Sequence, residues 1–152
     1  MTEDLRAAFR AAPGYEERID GVFELRELDF EGEVTVAEGT VSLEQELPTL
    51  DGSVVGETVA AVVEEGWLDT FQRRVADVTS ATSHEIGDPS VDVVDETVRV
   101  RTPIRDGTDS PEAARHAATY VESRWVEGIV PGYEYVPRVQ AIRDRAHSTG
   151  QS

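Results

Sequence analysis

Hydrophobic residues recur along this chain with two periods, and the switches between them mark out its elements. Residues 3–12 (EDLRAAFRAA) place Leu5 and Phe9 on one helical face. Thr2 serves as a cap, acids occupy the first turn, and Pro13-Gly14 supplies the stop. Gly14 to Gly21 reads as a polar loop carrying Tyr15 and Ile19. The period then falls to two. Val22 to Leu28 is an imperfect strand in which Phe23 and Leu25 lie on one face and Leu28 and Phe30 on the other, so a bulge or turn is expected near Glu27. Residues 33–37 alternate cleanly through Val34 and Val36. Glu38-Gly39 suits a hairpin turn, and Thr40 to Leu47 alternates through Val41, Leu43 and Leu47 before Pro48 closes the segment. The result is an antiparallel meander with one dry face and one acidic wet face.

Residues 55–76 return to helical spacing, with Val55, Val59, Val62, Val63, Trp67, Phe71 and Val75 three or four apart. Gly66 interrupts this run at about 1 kcal/mol relative to Ala, and predicts a kink or a close approach to the sheet. Residues 77–90 are turn-rich and read mainly as a connection. Two strands follow, through Val91 and Val93 and then Val98, Val100 and Ile104, joined at Asp95-Glu96. Ser110 as cap, Pro111 at the first helical position and Glu112 behind it start a helix that runs to about Glu127, where Gly128 ends it. Ala114, Ala117, Ala118, Val121 and Trp125 face inward. After the loop IVPGYEYVP, a short helix carries Val139 and Ile142, and a flexible polar tail begins at about residue 147.

The order α-βββ-α-ββ-α predicts a single α+β domain over residues 1–152. It has two layers, with an antiparallel sheet of about five strands (a meander of three plus a hairpin) and helices packed on one face.

Composition changes the picture of the surroundings more than of the fold. The chain has 31 Asp and Glu against 14 basic residues, all of them Arg, and a net charge of −17. Its aliphatic set favours small residues, with 21 Val and 15 Ala against 5 Ile and 7 Leu. Such a charge repels itself unless multimolar salt shortens the Debye length to about 3 Å or less. Absence of Lys removes apolar stems, while Arg keeps a bidentate head for pairing. These features predict a cytoplasmic protein of a salt-accumulating halophile, most simply a haloarchaeon. The start Met1-Thr-Glu-Asp-Leu has no basic-then-apolar leader, and no apolar run reaches membrane-spanning length. Nucleic acid is disfavoured. The nearest basic cluster is Arg73-Arg74, with Arg99 and Arg101 on one strand face, and surface ion pairing is the simpler expectation for all four.

No motif assigns a reaction. With no Cys there is no thiolate chemistry, and neither GxGxxG, GxxxxGK[ST] nor GxSxG occurs, so no cofactor is expected. His84-Glu85 offers one pair for a metal-assisted site. His116 sits on the third helix as either a structural histidine or a base, and His147 lies in the tail. Ser80, Thr82, Ser83 and His84 are neighbours in sequence, which does not make them a nucleophile and its base. Trp67 and Trp125 are expected as core anchors. The most distinctive stretch runs from Tyr120 to Pro137. Either its aromatic residues fold back on the domain, or Trp125, Tyr133, Glu134 and Tyr135 form an interaction surface.

The segments GWLDTFQRRV (Gly66 to Val75) and YVESRWVEGIVPGYEYVP, with VEGIVPGYEY the most specific part, resemble a haloarchaeal family of small proteins of unknown function. The resemblance implies a single domain and no particular activity. On topology alone, the element order is similar to that of the small dimeric chaperones of bacterial type III secretion. Two readings follow. The first is a non-enzymatic binding or chaperone-like module, homodimeric and meeting an unidentified protein. The second is a small enzyme with a carboxylate- or histidine-centred site.

Overall fold

At the Glu38-Gly39 turn both residues take positive φ (52° and 76°), which matches the twist of the strands it joins. That turn sets a register of paired residues from Ala37↔Thr40 out to Glu31↔Glu46 between β3 (Glu31–Ala37) and β4 (Thr40–Pro48). The chain is described by a computed structural model covering residues 2–81, 86–105 and 109–150. Its fold is α+β, with a six-stranded antiparallel sheet in the order β1-β2-β3-β4-β6-β5.

The meander has one strand more than the pattern predicts. Residues read as a polar loop form β1 (Tyr15–Ile19), which pairs with β2 (Val22–Leu25). β1 hides from period-two reading because it is an edge strand with charges on both faces. Glu17, on the helix side, is tied to Arg10 at 2.7 Å and accepts the Gly21 N–H at 3.1 Å. The switch expected near Glu27 is present as a turn, and Glu27 takes φ 67°. The second hairpin joins β5 (Ser90–Val94) to β6 (Thr97–Ile104), with Asp95 at φ 54°. β6 then pairs with β4 from Val41↔Ile104 to Pro48↔Thr97.

Helices cover one face of this sheet. α1 (Thr2–Ala11) buries Leu5 and Phe9, as its spacing predicts. α5 (Ser110–Glu127) lies across two apolar clusters. Ala113, Ala114, Ala117 and Ala118 bring it close over Phe23, Val34 and Leu43. One turn further on, Val121 and Trp125 meet Leu47, Val98 and Val100. Small residues allow close approach where the sheet is crowded, and the large indole fills the wider end. Ser110 is not the cap. Asp109 holds that position, and the Ser110 hydroxyl donates to the Arg105 carbonyl at 2.9 Å.

The long helical run splits. Leu50–Ser53 forms α2, capped by the Thr49 hydroxyl, and α3 begins only at Ala61 and ends at Ala76. Between them Gly56 turns with φ 83°, while Val54 bridges to Tyr135 in extended conformation. Gly66 does not abut the sheet, since a Cβ there meets nothing within 4 Å, and α3 runs through it as one helix. The connection after it contains α4 (Val78–Ala81), and α6 (Pro137–Gly150) continues through position 147 to Gly150.

Candidate functional site

Trp125 is 2% exposed, its indole N–H donates to the Pro48 carbonyl at 2.9 Å, and its ring meets Phe30 edge-on at 4.8 Å. Tyr135 is buried as well, with its hydroxyl on the Val130 carbonyl. Of the four residues of the expected aromatic surface, Tyr133 is therefore half-buried and Glu134 alone fully exposed. The aromatic segment folds back. Trp67 is likewise buried, stacked on Phe71 at 5.7 Å.

Among the described residues no three of His, Asp and Glu converge as metal ligands. His84-Glu85, with Thr82 and Ser83, lies outside the described residues, as does the side chain of His147. His116 is exposed on α5, with Glu112 at 4.0 Å.

What remains open is the sheet face away from the helices. Strand register places Glu16, Glu24, Glu33 and Glu44 side by side on four adjacent strands, and the row ends at Arg101 on β6. A parallel row runs Glu31, Glu46, Arg99, Asp92. Arg18 pairs with Glu24, and Arg26 reaches Glu16 at 2.7 Å, which holds the Glu16 carboxyl below the ordinary carboxylate range. Arg99 and Arg101 stand 3.4 and 3.9 Å from Glu46 and Glu44. Glu31 and Glu33 have no cation among the described residues, and Glu33 faces a glutamate on each side. Directly opposed like charges are destabilising in a sheet. Beside these rows opens a groove of about 890 Å³, with Ile19, Val22, Leu28 and Phe30 as apolar lining and six glutamates against three arginines.

A second, smaller groove of about 280 Å³ runs between α3 and the turn after α5, over Trp67 and Phe71. It escaped the sequence because its walls come from distant segments. The only trace was Gly66, a helix-weakening residue with no packing reason to be there.

The model of a family of unknown function, DUF5813, matches residues 10–145. No curated protein and no solved structure matches the chain.

Proposed function

The chain belongs to that family, and we propose that it is a non-enzymatic binding module whose open sheet face receives a cationic, extended segment of a protein partner. The observation that carries this reading is the position of Glu33, between Glu24 and Glu44 with no cation of its own among the described residues. A guanidinium or ammonium laid across that row relieves two opposed pairs at once, and the adjoining apolar lining takes the partner's intervening side chains.

The same reading places the module in concentrated salt, in the cytoplasm of a halophile. Support comes from the charge of −17, the 14 Arg without a Lys, and the excess of Val and Ala. At such ionic strength only close contacts retain electrostatic value, so the row acts by direct pairing and not by long-range steering. No helix among the described residues is long and apolar enough to cross a membrane.

The test is a titration with a ten-residue peptide alternating Arg and Val. Neutralising Glu24, Glu33 and Glu44 together to Gln is expected to weaken binding more than about tenfold, as loss of several charge-assisted contacts does. Neutralising Glu57, Glu65 and Asp69 on and before α3 leaves it within about twofold. Equal loss in both triples would make the attraction one of net charge, and would remove the sheet face from consideration.

Self-association is the second part of the proposal, and the free edge of β5 favours it. Val93 and Val94 there are 44% and 47% exposed beside unpaired backbone groups. Light scattering in about 3 M salt is expected to give twice the chain mass, and Val93→Lys to halve it. A monomer at high concentration ends this part.

A further inference from the structure

We propose that the groove between α3 and the Gly128 turn binds a small organic acid, with a flat apolar body and one carboxylate. This site is separate from the sheet face and does not depend on it. Its floor is the Trp67–Phe71 stack, whose rings are 3° from parallel. Two glycines open it. The missing side chain of Gly66 leaves free space above α3, and a Cβ on Gly128 would stand 3.1 Å from the Trp67 Nε1 atom. The indole N–H edge is therefore turned toward the groove wall that Gly128 forms.

Two polar groups at this groove have no partner among the described residues. Trp67 is 7% exposed, yet its N–H donates to nothing among the described residues, whereas the Trp125 N–H has its carbonyl at 2.9 Å. The Trp67 N–H is not sealed from solvent, so it is a donor open to the groove, where a bound acceptor takes the place of water. Arg74, two turns along α3 and half-buried at the end of the groove, has no ion pair among the described residues. Its neighbour Arg73 takes Asp69 at 2.6 Å, and Arg99 and Arg101 also stand beside carboxylates. Arg115, Arg138 and Arg143 also have no carboxylate partner among the described residues, but Arg74 is the arginine that lines this groove, where its guanidinium is available for an anion from outside. Glu127, the one carboxylate in the lining, is held by Arg124 at 2.8 Å. The groove thus offers donors and a cation over an aromatic floor, and its volume of about 280 Å³ is at the small end for ligand sites, which suits a metabolite-sized acid.

The experiment uses the whole chain in about 3 M salt, followed by the Trp67 indole resonance in NMR. Probes are 3-phenylpropanoate and indole-3-acetate, each beside its neutral amide. At least one acid is expected to shift the resonance saturably, and to bind more than about tenfold tighter than its amide. Arg74→Gln should abolish that preference while leaving the amide's affinity as it was. Gly66→Leu should fill the groove and remove both, with the Trp125 resonance in place to report an intact fold. The proposal fails if no acid shifts the Trp67 resonance up to about 10 mM, the millimolar range that separates weak sites from none. It also fails if acid and amide bind alike, or if either variant leaves the acid's affinity unchanged.

Discussion

The carboxylate of Glu122, on α5, accepts the backbone N–H of Phe30 at 2.7 Å across 92 residues of sequence. It also takes the Asp29 N–H at 3.0 Å, so one side chain satisfies two amides of the turn between β2 and β3. Burial pushes its pKa above the ordinary 4.5, against the pull of these two amides. Glu122→Ala leaves both donors unpaired and is expected to lose about 1–3 kcal/mol of stability. The folded form keeps the Glu122 proton at pH values where the unfolded chain has released it. The residue's contribution is therefore largest in acid, declines as pH climbs from the ordinary carboxylate range through the raised value, and is level above it. Thermal unfolding of wild type and Glu122→Gln between about pH 3 and pH 8 checks this, since their stability difference should fall with pH. A flat difference refutes it.

Trp125 and Tyr133 lie in one sequence segment but should respond in opposite ways to truncation. Trp125→Ala removes the contact with Phe30 and the bond to Pro48, and is expected to lose about 3–5 kcal/mol or to prevent folding. Tyr133→Ala, at a half-buried position, should lose less than about 1 kcal/mol. Denaturant unfolding in fixed salt separates the two.

Gly66→Ala should stabilise the protein by about 1 kcal/mol. It improves helix propensity, and its Cβ meets nothing within 4 Å. Gly21→Ala is the contrasting case, because Gly21 takes φ 82° and a Cβ there would stand 2.8 Å from the Val36 carbonyl oxygen. Midpoints of thermal unfolding should move up for the first and down for the second.

Glu33→Gln removes two like-charge pairs across the open sheet face. A gain of about 0.2–1 kcal/mol per pair is expected in dilute buffer, shrinking toward zero near 3 M salt. A gain independent of salt would mean that the effect is not electrostatic.

The sequence showed most clearly those elements whose two faces differ in polarity. β3, β4 and β6 alternate because helices cover one side and solvent the other, and α5 announces itself with Pro111 at its start and Gly128 at its end. β1 is hard to read because its helix side puts Glu17 next to the core-packed Tyr15, so neither face shows an unbroken apolar period. α3 starts later than the spacing predicts, because Val55 and Val59 fall on helical spacing without lying in the helix. Val55 is 41% exposed in an extended segment whose N–H bonds the Glu134 carbonyl. Burial of Trp67 and Trp125 followed from their size. Their different hydrogen bonding did not, because it depends on which carbonyl the fold brings alongside. The acidic wet face was legible residue by residue, but its rows were not, since they exist only once the register is fixed.

β4 is shared between two units with very different routes to closure. On one side a two-residue turn brings β3 alongside. On the other, β6 arrives only after α3 and the second hairpin have been made. As the chain leaves the ribosome, the first four strands can zip up early with Phe9 of α1 against Phe23, yet Leu43 on β4 stays incompletely covered until the alanine face of α5 emerges some seventy residues later. That interval is when the nascent chain is most prone to aggregate, and slowing synthesis between β4 and α5 should lower the yield of folded protein.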